Sequence, residues 1–122
     1  NHDHAIAFTS MGHVNYLSAL QFVDAVVGNS SSGLLEAPSF KIGTIDIGDR
    51  QKGRIKAESV ISCIPVKERI SSALKKLYLE DFQNIINNVE NPYKKNGSSK
   101  SIIQVIKSYP LKNIFKKKFF IK

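Results

Sequence analysis

Ser30, Ser31 and Ser32, closed by Gly33 and followed at Glu36 by a carboxylate, are the residues whose types and spacing could do chemistry. The β-rich run Ala25-Val26-Val27 leads straight into them, and an amphipathic segment starts immediately afterwards. A strand that turns tightly into a helix presents free backbone N–H groups with a partial positive charge, an arrangement that holds phosphate. The hydroxyls add donors beside those groups. Glu36 lies one helical turn beyond Ser32 on the same face, because residues i and i+4 stack. There a carboxylate can accept hydrogen bonds from a ribose diol while the turn holds the phosphate. The plainer alternative is a serine N-cap, a general feature of helix starts. Pattern alone leaves both readings open.

A second segment follows at once. Lys41 to Gly48, KIGTIDIG, reads as a short strand with β-branched residues at Thr44, Ile45 and Ile47. It runs into Asp49-Arg50-Gln51-Lys52-Gly53-Arg54. Cations with a flexible glycine just past a strand end suit a diphosphate, and Arg50 and Arg54 each offer a planar fork of donors. In an open α/β sheet, ligands bind at the carboxyl ends of the strands, where both segments are placed. Taken alone, the same run reads more simply as a solvated basic loop.

These two segments carry a resemblance. GNSSSGLLEAPSF, and after it IGDRQKGRIKAESVI, resemble the carboxyl-terminal domain of UDP-N-acetylglucosamine 2-epimerases, in the hydrolysing branch used for sialic and related nonulosonic acids. The likeness is dense from about Ala5 to Cys63 and resumes weakly at Asn91-Pro92-Tyr93 and Asn96-Gly97. The Asp-Arg-Gln-Lys-Gly-Arg run is the more specific signal, because the non-hydrolysing branch carries a Thr-Glu-Arg-Pro-Glu-like loop there.

The resemblance implies a nucleotide half-site. Ser30 and Ser31 match diphosphate-binding hydroxyls, with Ser32 and Gly33 beside them. Ser32 stands where the family also shows glycine or cysteine. Glu36 matches the glutamate that holds the uridine ribose, and Arg50 an arginine near the nucleotide. The Met11-Gly12 turn matches a loop whose backbone reads the uracil edge, with Tyr16 and Leu17 near it. The family's catalytic carboxylates belong to its amino-terminal domain, and a further histidine to the start of its carboxyl-terminal domain. His2 and His4 do not sit in that histidine motif, and His13 reads as a loop histidine. No catalytic residue is therefore expected in this chain.

For the parent enzyme the resemblance implies UDP-N-acetylglucosamine and water converted to N-acetylmannosamine and UDP. The family mechanism is proton abstraction at C2, anti elimination of UDP to a glycal, and syn hydration. A bacillosamine-type sugar is an open alternative, as are a GT-B glycosyltransferase half with the same UDP cradle and a non-enzymatic nucleotide- or anion-binding module. The partners implied are UDP or a UDP-sugar and the enzyme's own amino-terminal domain, with no nucleic acid and no membrane. The parent enzyme is expected to be a cytoplasmic, bacterial homo-oligomer that uses no cofactor and no metal.

The elements that must position these residues are those of an α/β fold. The expectation is a Rossmann-like parallel sheet, the carboxyl-terminal half of a GT-B type fold, incomplete at its amino terminus. Strands are expected over 5–9, 25–29, 43–47 and 58–63, and helices over 13–22, 31–40, 66–76, 79–89 and 98–108. Residues 1–110 then form a partial UDP-binding domain and 111–122 a basic, aromatic tail. At 122 residues and 42% hydrophobic content the chain can bury one core. No signal peptide and no apolar run of about 18 residues is seen, which predicts no membrane span. A single cysteine, Cys63 in an apolar strand, forms no intramolecular disulfide and reads as a small buried hydrophobe. No Cys/His cluster has metal-ligand spacing. The net charge of +8 is largely a tail effect: Leu111 to Lys122 hold five lysines and no acid, and the rest has 13 basic against 10 acidic residues. Such a tail can bind an anionic surface, but aromatics packed on a partner domain beneath solvated lysines are the better account.

Overall fold

Three short runs rich in β-branched side chains, AVVG, GTIDI and VISC, become strands. The computed structural model describes residues 4–110. In chain order the elements are α1 (His13–Ala19), β1 (Ala25–Gly28), α2 (Ser32–Leu35), a 3-10 turn (Ala37–Phe40), β2 (Gly43–Ile47), β3 (Val60–Cys63), α3 (Lys67–Leu77), α4 (Glu80–Asn88) and α5 (Ser98–Ser108). The three strands form one parallel sheet in the order β1-β2-β3. Val27 pairs with Ile45 and Gly28 with Asp46; across the other edge of β2, Ile45 pairs with Ile61 and Asp46 with Ser62. The fold is α/β with a small Rossmann-like parallel sheet.

β2 is buried from Gly43 to Asp46, as a parallel strand must be when elements cover both faces. Gly43 faces one layer, where an added Cβ would come within 2.3 Å of Leu77 Cδ1. In that layer Leu77, Phe82 and Ile86 of α3 and α4 close on Ala25 and Ile61. Thr44 faces the opposite layer, where its Oγ1 donates to the Gly33 carbonyl at 2.8 Å. There Leu20, Ala37 and Ile42 pack with Tyr16, Leu17, Val26 and Phe40. Each fully buried Leu, Ile or Phe contributes about 1.5–3 kcal/mol, so two small clusters hold the sheet between its layers.

The helix expected over 31–40 is two pieces. Pro38 has no N–H to give the Leu34 carbonyl. Ser39 N–H then bonds Glu36 O at 2.9 Å, the tighter 3-10 pattern, instead of reaching Leu35. The Leu35 carbonyl left over accepts the Asn91 side-chain amide at 2.8 Å. The helix expected over 13–22 stops at Ala19, because Gln21 and Phe22 bond back to Ser18 and Ala19 in a tight turn that buries Leu20.

The strand expected over 5–9 is not formed. Residues 5–8 join no ladder among the described residues, and Ile6 and Phe8 are 83% and 63% exposed. Alternation gives a segment the composition of a strand, but a strand exists only against a partner. Cys63 is half-buried rather than buried, because β3 is an edge strand. The tail over 111–122 lies outside the described residues, as does His2.

Candidate functional site

Three strands that run the same way end at the same edge of the sheet. A shallow cleft of about 400 Å³ opens at that edge between Gly28 and Asn29 after β1, Ile47 to Arg50 after β2, and Pro65 after β3. Arg50 is exposed and is in no ion pair among the described residues, so its guanidinium is free for an anion.

The connection from β2 to β3, residues 48–59, has no helix, although a parallel crossover usually uses one. Side chains hold it instead. Gln51 is 3% exposed, and its Nε2 donates to the Asn29 carbonyl at 2.8 Å. Lys56 Nζ reaches Asp46 Oδ2 at 2.7 Å and Ser62 Oγ at 2.7 Å. Tyr93 Oη donates to the Ile55 carbonyl at 2.8 Å. Asp46 is 1% exposed, and a carboxylate inside a sheet needs such a partner. The Asn91-Pro92-Tyr93 segment thus braces both loops: Asn91 takes the helix break, and Tyr93 the crossover.

The serines divide the work of the turn after β1. Ser30 is exposed, and its Oγ accepts the Ser32 N–H at 3.3 Å. The Ser31 carbonyl accepts Leu34 and Leu35 N–H groups at 3.0 and 2.9 Å. Ser32 Oγ is hydrogen-bonded to Tyr16 Oη. Tyr16 also lines a second shallow cleft with Ser10, Met11, Gly12 and His13. Ser32 therefore links the turn after β1 to the Met11-Gly12 turn. Gly33 is buried, and a Cβ there would come within 2.5 Å of Thr44 Cγ2, so close packing on β2 accounts for this glycine. Glu36 is half-buried, its N–H bonded to Ser32 O at 2.9 Å, one turn apart as the sequence implies. Its carboxylate has no hydrogen bond among the described residues, and Glu36 lines neither cleft.

Sequence reasoning brings Arg50 to the strand ends and passes over Gln51, Asp46 and Tyr93. An acid flanked by isoleucines in TIDI is a signal that a cation must lie near. One uncharged amide within a charged loop is a weaker signal for a brace.

A model of the family described as UDP-N-acetylglucosamine 2-epimerase matches residues 1–107. The chain belongs to that family. Among relatives, it is 38% identical over 95 residues to an Escherichia coli "Polysialic acid biosynthesis protein P7", covering 78% of this chain and 24% of that protein. It is 46% identical over 61 residues to a Campylobacter jejuni "GDP/UDP-N,N'-diacetylbacillosamine 2-epimerase (hydrolyzing)", covering 50% of this chain and 16% of that protein. A Legionella pneumophila "UDP-N,N'-diacetylbacillosamine 2-epimerase (hydrolyzing)" is 29% identical over 96 residues, 79% of this chain and 24% of that protein. This epimerase-family chain thus spans about a quarter or less of the length of these relatives. Among its described residues, no helix is long and apolar enough to cross a membrane.

Proposed function

We propose that this chain supplies the UDP-binding side of a hydrolysing UDP-N-acetylglucosamine 2-epimerase, as part of the carboxyl-terminal half of a GT-B type enzyme. The observation that carries the reading is the strand-end cleft, where Arg50 and the end of β1, at Gly28 and Asn29, border one space at the carboxyl ends of adjacent parallel strands, with Ser30 next in the chain. The family match supports the substrate class, and the relatives named as hydrolysing support the branch. In this reading Arg50 and the donors of Ser30 and Ser31 hold the diphosphate. Ser32, Gly33 and Tyr16 shape the turn, Met11 borders the base, and Glu36 holds the ribose. The acid and base that act at C2 come from the rest of the parent enzyme.

The chain's own contribution to the reaction is electrostatic. As the bond from the sugar to the diphosphate breaks, negative charge grows on the departing oxygen. Fixed donors aimed there lower the barrier without reorganising. Because α2 is only four residues long, its dipole is small, and the Arg50 guanidinium carries more of that work. A sugar of the N,N'-diacetylbacillosamine type is the second reading, favoured by the 46% identity to the Campylobacter jejuni protein.

The test is an NMR titration of the chain with UDP, UMP, uridine and dUDP. UDP binding is expected with a dissociation constant on the order of 0.1–10 mM, since contacts from the rest of the enzyme and closure are absent. UDP should bind better than UMP, and Arg50→Ala should weaken UDP more than uridine. Shifts that follow total phosphate charge without regard to base or ribose would sink the reading.

A further inference from the structure

Gln51 sits beside Arg50 in the loop after β2, yet its side chain turns inward and its Nε2 donates to the carbonyl of Asn29, in the loop after β1. Because a carbonyl can only accept, the Gln51 amide is oriented with its nitrogen toward Asn29. Its Oε1 is then buried without a hydrogen-bond partner among the described residues. That is a costly way to fill space, since an unpaired buried amide oxygen loses its hydration. An apolar side chain of the same length would fill the site without that loss. The bond itself is only part-buried, and Asn29 is an exposed residue. Stability alone therefore does not account for a glutamine at this position.

We propose that Gln51 is a positioning residue that locks the two loops of the nucleotide site to one another, fixing the spacing between Arg50 and the Ser30-Ser31 turn. The bond joins one loop to the other where both border the strand-end cleft. A ligand that spans the two loops gains from that fixed spacing, because the cost of ordering them has already been met on folding. A diphosphate spans them; a nucleoside does not. Gln51 touches no ligand in this role and acts through Asn29 and Arg50. The ligand side of the role rests on the UDP reading above, whereas the brace itself does not.

The experiment compares the 122-residue chain with its Gln51→Met variant, which keeps length and volume and removes the donor. Thermal unfolding should be unchanged or raised. UDP affinity by NMR titration should fall by about fivefold to tenfold, with uridine affinity unchanged. A variant that binds UDP within about twofold of the parent chain, or loses UDP and uridine in the same proportion, overturns the positioning role. A second measurement needs no variant: a through-hydrogen-bond coupling between Gln51 Nε2 and the Asn29 carbonyl carbon, with slow exchange of the Gln51 amide protons. No coupling and fast exchange overturn the brace, even if the variant fails to fold. If the parent chain binds no UDP while the coupling is present, the nucleotide reading falls, the diphosphate role falls with it, and the loop brace stands.

Discussion

A methyl group at position 33 would come within 2.5 Å of Thr44 Cγ2, on the middle strand of the sheet, where both residues are buried. Gly33→Ala should therefore destabilise the chain by about 1–3 kcal/mol through overpacking. The contact is specific enough to be relieved. Thr44→Ser removes Cγ2 but keeps the hydroxyl that donates to the Gly33 carbonyl. Urea unfolding should show Gly33→Ala costing much less in the Thr44→Ser background; an equal cost in both would place the strain elsewhere. Glu36 is a case of the opposite kind, since nothing among the described residues uses its carboxylate. If that carboxylate holds a ribose, Glu36→Ala should reduce the preference for UDP over dUDP by about 1.5–3 kcal/mol at most, the range for hydrogen bonds to a charged group. Side-by-side titration with the two nucleotides measures it.

At the scale of elements, the crossover over 48–59 replaces a helix with side-chain bonds, and the Lys56–Asp46 pair is the one with a buried charge. Lys56→Met leaves the Asp46 carboxylate unpaired in the sheet and should cost about 2–3 kcal/mol, somewhat below the full range for a buried pair because Lys56 is partly exposed. Lys52→Ala in the same loop, on an exposed residue, should cost almost nothing. Comparable losses from the two substitutions in urea melts would refute the assignment. The sequence carries β2 plainly, because GTIDI alternates between glycines, and it carries α3 and α4 through their helical spacing. Proline chemistry at Pro38 already contains the break in the serine-led helix, but the capture of the freed Leu35 carbonyl by Asn91 is a contact 56 residues away that no local pattern encodes. The same limit hides Gln51, whose partner lies 22 residues back, across two strands that must first pair. Arg50 at the strand ends is legible because adjacency follows from parallel pairing. That Glu36 stands outside the Arg50 cleft is not legible, because the shared face of one short helix says nothing of the next loop.

For the molecule as a whole, the unsolved quantity is exposed apolar surface. α5 keeps the length expected of it, residues 98–108, yet buries none of its residues. Ile102, Ile103, Val105 and Ile106 are each between 51% and 61% exposed. Ile6, Phe8 and Phe22 add 83%, 63% and 87% at the other end of the described residues. Exposed apolar patches of this kind mark surfaces that associate, and the chain spans only about a quarter of its E. coli relative. Two consequences can be measured. If the acid and base come from the rest of the parent enzyme, as proposed, the chain alone should form no N-acetylmannosamine from UDP-N-acetylglucosamine above background; product analysis that finds it would place a proton-transfer group within these 122 residues. The second is association. Light scattering should show mass rising with concentration, because self-contact removes the α5 face from water. Replacing Ile102 and Ile106 with Lys on this one helix should return the chain toward a monomer without loss of helicity, since both positions are exposed and lysine is a good helix former. A parent chain that stays monomeric at high concentration would mean that the α5 face does not drive association. A lysine variant that associates as before would move the contact away from α5, to the exposed Ile6, Phe8 and Phe22 or to the β1 edge, which pairs with no further strand among the described residues.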